Sequence, residues 1–323
     1  MRGLIHAVLI MMAGTLPMPA LAAGTAAPAA QPAPASTGPK TGLAADAAFA
    51  AFDDGKYLTA LDLAKKKAAE GEPSAHTLVG RILAEGLGVD RNLKEAAAWY
   101  RKGAELGDTN AMFALGMMHL GGAGVEKSAK TAADWFEQAA AKGHALAAYN
   151  LALIYAAGDG RKTDIKRAAD LLRQAAEAGE APAEYDYGVL FTKGEGVEPD
   201  DETAAHWIGL AAEQGYVDAQ VDFAIMLFKG RGVEKDEARG AWFLLAAAEK
   251  GNPVAQNRLA RLYAFGVVFE KHLPTAARWH LIARAAGASD LELDVLISKL
   301  TPEERKEAEE QAQAWRDRAA AFF

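Results

Sequence analysis

AMFALGMMHLGGAGVEKSAKTAADWFEQAAAKGHAL, Ala111 to Leu146, is one copy of a unit that recurs every 36 residues, the distance from Ala111 to Ala147. Stepping outward by that period from Gly143 gives Gly107 and Gly71 on one side and Gly179, Gly215, Gly251 and Gly287 on the other. A second ladder runs Gly86, Gly122, Gly158, Gly194, Gly230 and Gly266, and a third runs Ala75, Ala111, Ala147, Ala183, Ala219 and Ala255. Three ladders in one phase are not a product of chance. A fixed period of this length means stacked units, each burying its apolar face against its neighbours.

The unit reads as two helices. AMFALGMMHL is nearly all apolar, with Leu115 and Met118 at helical spacing. GGAGV breaks it, because adjacent glycines favour turns with positive φ. KTAADWFEQAAAKG then carries alanines and bulky residues on one face and Lys130, Asp134, Glu137 and Lys142 largely on the other. It stops at Gly143, as a helix does at a left-handed cap. The column Trp99, Trp135, Trp207 and Trp279 reads as the buried anchor of the second helix. Small residues at Gly80, Gly116, Ala152, Gly188, Ala224 and Ala260 are expected to let the paired helices approach closely.

The copies AMFALGMMHLGGAGV, AEYDYGVLFTKGEGV and AQVDFAIMLFKGRGV, with AADWFEQAAAKG, AAHWIGLAAEQG and GAWFLLAAAEKG behind them, resemble the Sel-one-like repeat, a branch of the tetratricopeptide-like superfamily. The resemblance covers roughly Ala75 to Gly287. It implies an all-α, right-handed superhelical solenoid of two-helix repeats, in which the first helix of each pair lines the concave side. It also implies an adaptor that holds another protein or a peptide. The copies depart from the pattern in places. Arg161 stands where other units have Val89, Val125, Val197 and Val233, and Leu171 replaces the tryptophan of its column. Trp242 comes one position early, with Phe243 in register, and Val268 replaces the second loop glycine.

Outside the repeats, residues 1–22 read as an export signal: Arg2, an apolar run, then the small-residue site Ala20-Leu21-Ala22, with Ala23 the expected mature start. The apolar run is short for a membrane span, so stable insertion after cleavage is not expected. Residues 23–42 form a Pro/Ala-rich linker, 43–74 an N-terminal capping hairpin, 75–288 six repeats, and 289–323 a C-terminal capping helix opened by the capping box Thr301-Pro302-Glu303-Glu304. These features predict a periplasmic or secreted protein.

The 323 residues carry 35 Lys and Arg against 43 Asp and Glu, for a net charge of -8, so a nucleic-acid partner, which needs a basic stripe, is not expected. No cysteine is present, which excludes disulfides and thiolate metal sites. The seven histidines form no ligand motif, and His119 sits in a column of Leu83, Tyr155, Phe191 and Leu227, where a packed residue belongs. No nucleophile or phosphate-loop motif occurs, because the glycines belong to the repeat turns. No catalytic residue, metal or cofactor is therefore expected.

What remains is a surface. The columns of the first helices place Phe113, Met117, Tyr149, Tyr185, Val189 and Ile225 in one apolar strip across the central units. The strip is either a groove for a protein or peptide partner or packing between neighbouring hairpins. A cell-wall glycan module, with Tyr149 and Tyr185 as platforms beside Asn150, Asp186 and Asp222, is the alternative reading. A cell-envelope hydrolase is a more distant one.

Overall fold

The structure, a computed structural model, describes residues 47–322. The expected export signal and the linker, 1–42, lie outside the described residues. Among these, every regular element is a helix: α1 (Ala47–Asp53), α2 (Tyr57–Ala69), α3 (Pro73–Glu85), α4 (Leu93–Glu105), α5 (Thr109–Gly121), α6 (Ala129–Ala141), α7 (Ala145–Ala157) and α8 (Ile165–Glu177). They continue as α9 (Ala181–Lys193), α10 (Asp201–Glu213), α11 (Val217–Lys229), α12 (Glu237–Glu249), α13 (Pro253–Phe265), α14 (Leu273–Ala285), α15 (Leu291–Ile297) and α16 (Pro302–Phe322). The chain is an all-helical solenoid of paired helices. Each helix from α1 to α14 packs on the next in sequence, and α3 also touches α5, α13 touches α15 and α14 touches α16.

Local signals set the helix ends. The first helix of each pair ends on the second glycine ladder, Gly86 to Gly266, whose φ lies between 62 and 75°. Only a residue without Cβ takes that conformation at no cost. The second helices start from side-chain caps: Asn92, Ser128, Asp164, Asp200, Asp236 and His272 each accept a backbone N–H of the first turn. His144 caps α7 in the same way, 3.1 Å from the Ala147 N–H. The sequence offered no chemistry for these two histidines, and helix capping is what they do.

The core of each pair is a plug in a notch. The plug on the second helix is Tyr100, Phe136, Leu172, Ile208, Leu244 or His280, all at most 7% exposed. The notch is the small residue opposite. A methyl on Gly80 would stand 2.8 Å from the Tyr100 ring, and one on Gly188 2.7 Å from Ile208. This corrects the expectation for the tryptophan column. Trp99, Trp135 and Trp207 are only half-buried, because the residue that follows each of them points into the hairpin. Further along, Leu171, Phe243 and Trp279 of that column are buried. His119 is likewise half-buried and not core; its Nδ1 lies 2.9 Å from the Glu126 carbonyl.

The loops carry a second notch. The second loop glycine sits on the backbone that opens the second helix of the preceding unit: Gly124 on Leu93, Gly160 on Ala129 and Lys130, Gly196 on Ile165, and Gly232 on Asp201. Any Cβ there would overlap those atoms. Val268, at the same position of the last unit, keeps a left-handed φ of 66° despite its branched side chain. Arg161, the other departure, reaches back to Asp134, with 2.5 Å between Nη2 and Oδ1.

At the C-terminal end α16 lies on α14 and covers the last repeat. Ala308 and Ala312 are buried in that contact, and the Trp315 ring lies 6.4 Å from Trp279. The capping box forms: the Thr301 N–H donates to Glu304 Oε2 (2.9 Å), and the Glu304 N–H to Thr301 Oγ1 (3.2 Å). The short helix α15, capped by Asp290, was not expected from the sequence.

Candidate functional site

The first helices α5, α7, α9 and α11 present equivalent positions to the same side, because the units differ by one period. Phe113, Met117, Tyr149, Tyr185, Val189 and Ile225 are each half-buried, neither core nor fully open. Met117, Leu153, Val189 and Ile225 form one row at a single position of the unit. Arginines close both ends of that row. Arg81 pairs with Glu85 at 2.9 Å, and Arg261 pairs with Asp290 at 2.8 Å and Glu292 at 2.7 Å.

The aromatic row beside it is tied down. Phe113 stacks on His144 with centroids 4.8 Å apart and an interplanar angle of 20°. The Tyr149 hydroxyl donates to Asp186 Oδ2 at 3.0 Å, and the Tyr185 hydroxyl donates to Asp222 Oδ2 at 2.9 Å. Each bond crosses from one unit to the next, with the same register in both. Tyr185 also packs against Tyr216 at 5.3 Å. The sequence placed the tyrosines and the aspartates side by side, but not this donor-acceptor ladder. Its only trace in the sequence was a tyrosine column and an aspartate column one position apart.

Burial sets the electrostatics of the ladder. It pushes the Asp186 carboxyl up to about 6, against the pull of the Tyr149 hydrogen bond, and raises Asp222 as well. The phenols of Tyr149 and Tyr185 move well above their ordinary value, first through burial and then through the neighbouring carboxylates. Burial, with Asp186 and Asp218 nearby, pushes Tyr216 up to about 12. Among the described residues no group of three or more His, Cys, Asp or Glu side chains is arranged to hold a metal ion. No described helix is long and apolar enough to cross a membrane.

A stability prediction follows from Asp186. Its folded form holds a proton more tightly than the unfolded chain, whose carboxyl has the ordinary 3.8. Between those values the native state binds more protons, so acidification from pH 7 to 5 stabilises the fold through this group by about 1 kcal/mol. Asp222 and Glu184 act in the same direction, while His144, held low mainly by burial, acts in the opposite one. The comparison therefore has to be with Asp186→Asn, which keeps an oxygen for Tyr149. Urea midpoints at the two pH values should show the wild type gaining about 1 kcal/mol relative to the variant. Equal pH dependence in the two proteins would refute the assignment.

The profile of the Sel1 repeat matches residues 73–108, 109–144, 145–180, 181–216, 217–252 and 253–287. The chain belongs to the Sel1 repeat family. Each matched Sel1 repeat opens on the first residue of α3, α5, α7, α9, α11 or α13. Among solved structures the chain is similar to a Sel1 repeat protein from Oxalobacter formigenes, at 31% identity and a TM-score of 0.67, over 74% of this chain and 98% of that one. It is also similar to c5321, a protective antigen of uropathogenic Escherichia coli strains with an SLR fold. That match has 28% identity and a TM-score of 0.55, over 81% of this chain and 64% of that one. No curated protein matches the sequence.

Proposed function

We propose that this Sel1 repeat protein is an exported scaffold of the bacterial envelope that holds a segment of another protein against its first-helix face. The observation that carries the proposal is the row Met117, Leu153, Val189 and Ile225: half-buried apolar side chains at one position of four consecutive units. The plug column fills the space within each helix pair, and Met117, Val189 and Ile225 pack on the core with one side only, leaving the other side half-exposed. Extended apolar surface of that kind on a folded protein marks a binding site. The role assigned is adaptor or regulator, without turnover. Export rests on the basic residue, apolar run and small-residue site of residues 1–22.

The ring contacts favour a peptide over a glycan. A sugar platform needs an open aromatic face, whereas Tyr185 is packed against Tyr216 and Tyr149 is half-buried with its hydroxyl held by Asp186. Site-specific photocrosslinking tests the proposal. A benzophenone amino acid at Val189 should crosslink a protein partner in envelope preparations, and the same group at Arg173 on α8 should not. Crosslinks from Arg173 with none from Val189 would move the binding surface elsewhere.

A further inference from the structure

The C-terminal cap holds a cleft that the repeat pattern does not explain. It lies where α14, α15 and α16 meet, and its volume is about 250 Å³. Its wall includes His280, which takes the plug position that Phe136, Leu172, Ile208 and Leu244 fill in other units. The ring is 1% exposed. Asp294 Oδ1 lies 2.8 Å from Nε2. A carboxylate accepts, so Nε2 carries the proton and Nδ1 is left as an acceptor. Nδ1 is buried and has no partner among the described residues. A buried acceptor left open is costly and marks a place for a donor.

The charges of the cleft are unevenly matched. Arg284 is held by Asp294 at 3.1 Å, so those two cancel. Arg305 and Glu309 also line the cleft, four positions apart on α16. Side chains at that spacing share one helix face and pair readily. Arg81 and Glu85 do so at 2.9 Å, and Lys306 and Glu310, one position further on, at 3.8 Å. Arg305 and Glu309 do not. Nη2 of Arg305 donates to the Ser298 carbonyl at 3.3 Å, and Glu309 has no hydrogen bond or ion pair among the described residues. One cation and one anion therefore face the same cleft, each without a counter-charge.

The complement of such a lining is a ligand with one charge of each sign. A dianion would be repelled by Glu309, and a diamine by Arg305. Leu281, Ile297 and Ala308 supply apolar wall, which suits an apolar remainder. The volume lies below the range of about 300–1,000 Å³ usual for drug-sized ligands, so the ligand is small. We propose that this cleft binds a free α-amino acid with an apolar side chain. Its carboxylate is held by Arg305 and its ammonium by Glu309, with an N–H to spare for His280 Nδ1. Its side chain lies against Leu281, Ile297 and Ala308. The site is built from α14, α15 and α16, so it stands independently of the peptide-binding reading of the first-helix face.

Calorimetric titration of the purified protein tests the proposal. Leucine is the first probe, beside isocaproate, which lacks the ammonium, and isoamylamine, which lacks the carboxylate. Leucine should bind at least about tenfold more tightly than either, because each of them loses one of two charge contacts. Glycine, without a side chain for the apolar wall, should bind several-fold more weakly than leucine. Arg305→Gln should remove the advantage of leucine over isoamylamine, and Glu309→Gln its advantage over isocaproate. Both residues are exposed, so the melts should hold. Equal binding of leucine and isocaproate would make the cleft a carboxylate site only and overturn the proposal. Equal binding of leucine and isoamylamine, or of leucine and glycine, would overturn it as well. So would the absence of saturable binding by leucine, valine, methionine and phenylalanine. An affinity for leucine unchanged in both variants would place the amino acid elsewhere on the protein and refute the site.

Discussion

Phe136→Ala is expected to lower the unfolding free energy by about 3–5 kcal/mol, well beyond the loss from Trp135→Ala. Phe136 is 0% exposed, and its ring occupies the space opposite Gly116. Removal of the ring leaves a cavity that a rigid pair of helices cannot collapse around. Trp135 is half-buried at the edge of the same hairpin, so its truncation opens a notch that water can fill. A second substitution reads the mechanism. In the wild type, Gly116→Ala drives a methyl into the Phe136 ring and destabilises by about 1–3 kcal/mol. In the Phe136→Ala background the same change fills space and improves helix propensity, so it should be neutral or should recover up to about 1 kcal/mol. Urea denaturation of the four proteins gives the coupling. Additive losses would mean that ring and glycine do not meet.

Gly232→Ala is expected to cost about 2–4 kcal/mol. The left-handed backbone contributes about 1–2 kcal/mol for any residue with a Cβ. The rest is displacement of the loop from its seat, because the methyl would overlap the carbonyl that opens α10 at Asp201. Val268 is the native counterpart of this experiment. It holds φ at 66° with a branched side chain, so Val268→Gly should stabilise the last repeat by about 1 kcal/mol. Denaturation midpoints with unchanged slopes would report both effects. A Gly232→Ala protein as stable as the wild type would show that the loop does not rest on α10.

The fold was legible because its signals repeat. One glycine in one loop is weak testimony, but the ladders through Gly143 and Gly122 fixed the period and the helix ends together. Burial was harder to read. Trp135 and Phe136 are adjacent and both apolar, and a 100° step around the helix decides which points inward. Residue size suggested the tryptophan, whereas the notch at Gly116 admits the phenylalanine. α15 escaped because its seven residues are too few to show a period. On the candidate face the apolar row was visible as columns. The Tyr149–Asp186 and Tyr185–Asp222 bonds were not, because a hydrogen bond between units depends on how far neighbouring helices are offset, and periodicity alone carries no offset.

Contacts between helices that are next or next-but-one in sequence give the molecule a mechanical character. Force applied at the two termini acts on the interfaces in series, so no interface is shielded by another. A 36-residue unit that yields would release about 110 Å of chain while its neighbours stay folded. Among the described residues the C-terminal end is gripped by α16, 21 residues docked on α14. Under tension the array should lengthen in steps, one unit at a time, with the last repeat held by that contact while slack accumulates elsewhere.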